Sequence, residues 1–255
     1  MDISEILRDW PYEPGQISAR KVKGDDGREK IQLRLDLGLL QMESAGHPSG
    51  IRPHGHDSLL DYYEYLLERY RQEIGTDENF VLDEGACEKL RDEAVMYYHR
   101  YLAEFVLEDY ASVVRDTSRN LRVMDFCAEY AGDESDRIVM EQYRPYVLMM
   151  RTRASGLLAL RDDQPKSALA AVRKGIRDIQ IYYNRHDEEG DEDGGSDLAV
   201  LQSLVKEIEL RIPPDPVTKL KKELALAVRE ERYEDAAGLR DELRHIAGES
   251  ETAGL

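Results

Sequence analysis

Two short apolar stripes at helical spacing close this chain, and a unit so thin constrains what it can become. Leu220, Leu224 and Ala227 recur at steps of four and three. After the polar break Glu230-Glu231-Arg232, Ala236, Leu239, Leu243 and Ile246 do the same. Each pattern is that of an amphipathic helix, so residues 217–247 are predicted to form a helical hairpin. Ala236 and Ala237 allow close helix approach, and Tyr233 is placed to plug the open end near the turn. Below roughly 40 residues a unit rarely buries enough apolar area to stand alone. The pair is therefore expected to pack on another pair, from a second copy, a partner protein or its own body. Its charge is nearly balanced, unlike the acidic remainder, so cross-helix charge pairs would select the partner more than add affinity.

Residues 16–37 carry the one strand signal. Ile31, Leu33, Leu35 and Leu37 alternate with Gln32, Arg34 and Asp36, the period of a half-buried strand. The turn Gly24-Asp25-Asp26-Gly27 leads back to Ile17, Ala19 and Val22, which predicts a β-hairpin lying on the helices that follow. A punctuated loop, 41–57, comes next. Helices are predicted over about 58–74, where Ser58 and Asp61 cap the start, over 84–107, and to about 130. A fourth opens at Asp133 and runs to about Leu160 with a kink at Pro145, and a fifth starts near Pro165. Gly156, Ala159, Ala168, Val172 and Gly175 give this body a tetratricopeptide-like spacing, with no clean second copy at the expected period. The fold class is mainly α: an N-terminal β-hairpin and loop (1–57), a helical bundle or repeat-like body (58–185), an acidic flexible linker (186–197), a connecting helix (198–212) and the terminal hairpin.

Charge and composition then narrow the function. Lys and Arg number 35 against 53 Asp and Glu, a formal charge of −18, which repels phosphate backbones and argues against direct nucleic-acid binding. No apolar run is long enough for a membrane span, and the acidic start lacks a signal-peptide core, so the expected location is cytoplasmic. Cys87 and Cys127, with no paired spacing, read as buried thiols. His47, His54 and His56 share a Gly/Pro-rich loop. They offer the enzyme-class alternative, a metal-dependent activity, but lack a fourth ligand at recognised spacing. Asp191, Asp193 and Asp197 lack the closing glutamate of a calcium loop. The fifteen tyrosines read as core padding with hydroxyls at its rim, or alternatively as a concave peptide-binding surface. No nucleophile elbow, zinc-protease motif or dinucleotide loop occurs, so neither catalysis nor a cofactor or metal is expected.

The run Glu231-Arg232-Tyr233-Glu234-Asp235-Ala236-Ala237-Gly238-Leu239-Arg240-Asp241-Glu242-Leu243 resembles the UVR motif. That motif is shared by the excision-repair proteins UvrB and UvrC, by arginine kinase activators of the McsA type and by ClpC-type chaperones. The resemblance covers about residues 217–246. It implies an antiparallel hairpin that mediates protein–protein contact, including contact between such hairpins, with Arg240 and Asp241 as a polar pair near the packed seam. The chain departs from these relatives in lacking a phosphate-cradling Gly-x-x-x-x-Gly-Lys-[Ser/Thr] loop, any counterpart of the UvrC nuclease domains, and the cysteine pairs of the McsA type. The expected function is a non-catalytic adaptor acting through the hairpin; the alternative is an accessory factor working with UvrB- or UvrC-like subunits in nucleotide excision repair.

Overall fold

The computed structural model describes residues 2–185, 195–213 and 216–252, and the side chains of 219–244 within the last two helices. Most of the predicted acidic linker, 186–194, lies outside the described residues, as do Pro214 and Asp215. The fold is mainly helical, with a small antiparallel sheet near the N-terminus. Contacts divide the chain into two units, 1–208 and 209–255.

The first unit opens with the short helix α1 (Ser4–Leu7) and the sheet of β1 (Ala19–Lys23), β2 (Glu29–Leu35) and β3 (Gly38–Glu43), in the order β1-β2-β3. The predicted hairpin is present, with Lys21 opposite Ile31, and a third strand extends it, with Ile31 opposite Met42. This corrects the reading of 16–37 as a two-stranded unit. Leu37, expected on the buried face, is 92% exposed in the tight turn between β2 and β3. Ile31, Leu33 and Met42 pack one face of the sheet on Ala103 of the helix α3 (Glu84–Val106). The opposite face is polar and paired across the strands. Arg20 donates to Gln32 at 2.8 Å and Gln32 to Gln41 at 2.9 Å, while the Arg20 guanidinium lies 4.3 Å over the Trp10 ring.

Helix α2 (Leu59–Ile74) begins as predicted: Ser58 Oγ accepts the Asp61 N–H at 3.1 Å, and Gly75, at φ 86°, ends it. Asp83 caps α3 by accepting the Ala86 N–H at 2.8 Å. Helix α4 (Tyr110–Tyr130) follows. The single kinked helix expected from Asp133 to Leu160 is instead two: α5 (Glu134–Ile138), a 3₁₀ turn (Glu141–Tyr143) and α6 (Arg144–Arg161). Proline has no N–H to give and is suited to a first turn, so Pro145 starts α6 rather than bending a longer helix. Helices α7 (Pro165–Arg185) and α8 (Gly195–Arg211) complete the body.

Each of two tight corners, α3–α4 and α6–α7, is turned by an acidic residue in the left-handed region, Glu108 at φ 58° and Asp163 at φ 54°. The next N–H reaches five residues back, Asp109 to Glu104 and Gln164 to Ala159, both at 2.9 Å. This is the Schellman arrangement, which satisfies the last carbonyls of a helix. Between α6 and α7, Gly156 and Gly175 let the two helices approach closely. A Cβ on Gly175 would lie 2.0 Å from Thr152 Oγ1, and one on Gly156 would lie 2.6 Å from Val172 Cγ2.

The centre of the first unit is charged. Arg100, 1% exposed, makes a two-pronged pair with Asp116 at 2.6 and 2.9 Å and donates to the carbonyls of Glu43 (3.1 Å) and Gly46 (2.7 Å). Arg115 bridges Asp116 and Glu104, both at 2.8 Å. Two turns earlier on α3, Glu93 pairs with Arg119 and accepts the Leu59 N–H at 2.7 Å. The network thus fastens the loop after β3 and the start of α2 to α3 and α4. Burial and the neighbouring Asp116 push the Glu104 carboxyl up to about 8, against the pull of Arg115 and Arg100. Below pH 4.5, its ordinary value, folded and unfolded chains both hold this proton. Between there and about 8 only the folded chain keeps it, so stability falls as pH rises and levels off above. Glu104→Gln removes the titrating group. Urea unfolding at pH 5, 6, 7 and 8 is expected to show the variant gaining on the wild type as pH rises; a constant difference would refute this.

Candidate protein-interaction site

The second unit holds α9 (Pro216–Arg229) and α10 (Tyr233–Thr252), joined by Glu230-Glu231-Arg232. Its corner repeats the arrangement in the body: Glu231 sits at φ 58°, and the Arg232 N–H reaches the Ala227 carbonyl at 2.9 Å. Arg232 also pairs with Glu230 at 2.8 Å and with Asp235 at 2.5 Å, which locks the break that the sequence placed there.

The two apolar stripes face each other across the hairpin. Ala227 is fully buried, Leu220 and Ala236 nearly so, and Leu224, Leu239 and Leu243 half-buried. Small alanines, Ala227 and Ala236, at the turn end of the seam permit the close approach. Ile246 was expected to extend the stripe, but its side chain lies outside the described residues. Four residues depart from expectation. Tyr233 does not plug the open end; it starts α10 and is 68% exposed. Ala237 is exposed, not in the seam. Arg240 and Asp241, expected beside the seam, are also exposed and lie 3.7 Å from each other.

What remains outside the seam is two flanks of opposite character. On one, Leu226, 48% exposed, lines a groove of about 570 Å³ with Gly238, Leu239 and the acids Glu223, Glu234, Asp235 and Glu242, which outnumber its one cation among the described residues, Arg232, itself held by Asp235. A Cβ on Gly238 would touch nothing within 4 Å, so the floor there is open. By helical spacing the other flank carries Val228 and Tyr233 among Lys221, Arg240 and Arg244, and Val228 is 51% exposed. One side is acidic around a leucine; the other is basic around a valine and a tyrosine.

Residues 215–248 match the family model described as the UvrB/uvrC motif. The UVR motif is therefore this C-terminal hairpin. The match spans the hairpin alone, and no curated protein and no solved structure matches the chain. Among the described residues no helix is long and apolar enough to cross a membrane.

The histidine loop has a different role from a ligand cluster, because the fold sends its three rings to two environments. His47 is buried: its Nε2–H donates to Glu93 at 3.1 Å and its Nδ1 accepts from Ser49 Oγ at 2.9 Å and Ser49 N at 3.2 Å. Burial, with Arg119 and Arg100 nearby, holds His47 below its ordinary value, so it is neutral at pH 7. His54 stacks on Tyr62 at 4.1 Å, and His56 leans on Tyr65 at 5.0 Å. Cys87 and Cys127 are both buried free thiols, and burial pushes Cys127 up to about 12, which leaves it unreactive.

Proposed function

We propose that this chain is a non-catalytic, cytoplasmic adaptor whose UVR hairpin docks on a second helical hairpin, in another copy of the chain or in a partner protein. The observation that carries this reading is the pair of complementary flanks. The stripe expected to dock closes the hairpin's own seam instead, with Leu224, Leu239 and Leu243 half-buried there. Leu226 on the acidic side and Val228 with Tyr233 on the basic side remain uncovered. Two such hairpins meeting flank to flank place a leucine against a valine and a tyrosine, and set acids opposite bases. The charges steer and register the contact, and the apolar residues hold it. The same surface presented to a UvrB- or UvrC-type subunit would make the chain an accessory of excision repair; the motif match favours this as the second reading.

Sedimentation of the full chain, alone and with purified UvrB- and UvrC-type subunits, tests the proposal. Association is expected to weaken as salt rises, because the paired charges are exposed. Leu226→Glu is expected to weaken it at least ~10-fold, since about 1 kcal/mol of half-buried leucine is lost and a carboxylate must be desolvated against a valine and a tyrosine. A chain that stays monomeric and binds neither subunit, or a Leu226→Glu variant that associates unchanged, would overturn it.

A further inference from the structure

Tyrosines converge on one cavity of the first unit, far in sequence from the hairpin. A space of about 570 Å³ lies between α3 and the start of α6, within the 300–1,000 Å³ typical of small-molecule sites. Tyr101, Met124 and Met140 form its buried floor, and Tyr98, Tyr143 and Tyr146 its walls. Tyr98 and Tyr101 meet edge to face at 5.5 Å. Tyr101 is buried as a residue, but its hydroxyl is not sealed off: it opens on the cavity, and among the described residues none hydrogen-bonds it or the hydroxyls of Tyr98, Tyr143 and Tyr146.

The lining also states what the cavity rejects. Its one cation, Arg91, is held by Asp136 at 2.5 Å, and the Asn120 amide is committed to the Ala94 carbonyl at 2.9 Å and to Arg119. Burial keeps the Tyr101 and Tyr146 phenols neutral, with Tyr146 pushed up to about 12. Among the described lining residues no uncommitted charge is left to neutralise a charged ligand, whereas aromatic walls suit a flat ring and free hydroxyls suit an acceptor on it. Two methionines supply a floor that adapts to the ring's outline. From these features we infer that the cavity between α3 and α6 is a binding site for a neutral, flat aromatic molecule bearing a hydrogen-bond acceptor, which the Tyr101 hydroxyl engages.

Nile red, a neutral planar dye with a ring carbonyl, is the probe. Fluorescence titration of the full chain is expected to saturate at one dye per chain. Tyr101→Phe removes only the hydroxyl and is expected to weaken binding about fivefold, the effect of one lost hydrogen bond. Val95 sits on the rim and is 50% exposed, so Val95→Glu leaves the core intact while placing a charge at the mouth; it is expected to weaken binding more than ~10-fold. Leu226→Glu in the hairpin should bind dye as the wild type does. Binding that fails to saturate, exceeds one dye per chain, or is unchanged in both Tyr101→Phe and Val95→Glu overturns the inference, provided thermal melts show both variants folded.

Discussion

Asp116→Ala is expected to cost about 3–5 kcal/mol, the usual consequence of removing one partner from a buried ion pair. Arg100, 1% exposed, would keep its charge and lose both of its carboxylate bonds, and Arg115 would lose one of its two. For a unit of this size the loss corresponds to a fall in melting temperature of about 10 °C. Replacing the pair together, Arg100→Met with Asp116→Leu, should recover only part of it. The carbonyls of Glu43 and Gly46, which Arg100 now satisfies, would remain without donors, and a buried acceptor left unmade is itself costly. A thermal melt of Asp116→Ala within a degree or two of the wild type would remove the network from any account of stability.

The second large effect is expected at Gly175. Alanine is the better helix former by about 1 kcal/mol, yet Gly175→Ala should destabilise by about 1–3 kcal/mol net, because overpacking outweighs propensity. The new methyl would meet three atoms of Thr152, including Cβ at 2.6 Å, and a Cβ cannot rotate away. Helices α6 and α7 must separate instead. Adding Thr152→Gly moves the missing side chain from one helix to the other and should restore most of the loss, giving a coupling energy above ~1 kcal/mol. Chemical denaturation of both single variants and the double variant measures this, and simple additivity would show that the contact is not limiting. At Gly156 the obstacle is a Val172 methyl, so Gly156→Ala should cost less.

How much of this was legible in the residues differs by feature. Helix starts were, since Ser58 and Asp133 stand at caps whose chemistry is local. Strand β3 was not: Leu39 and Leu40 are adjacent, which breaks the alternation, and only pairing with β2 resolves them. The charged centre also escaped, because Glu93, Arg100 and Glu104 look like a solvated face when charges are counted. They fall, however, on the same stripe of α3 as Leu90, Tyr97 and Tyr101, all of them buried. Charges placed at core positions of a helix were the available signal. In the hairpin the stripes were plain, but their use was not. Two complementary stripes joined by a three-residue break satisfy each other first, so the surface left for a partner is the flanks, which the periodicity does not advertise.

The charged centre has one further consequence, for the order in which the chain assembles. Every member of it, from the Glu43 carbonyl to Arg119, lies within the first 119 residues. During synthesis the sheet, its loop and the α3–α4 corner would all have left the ribosome before α6 begins. The pairing groups of the most demanding desolvation step are therefore all supplied by the leading half of the polypeptide, and none comes from the later helices.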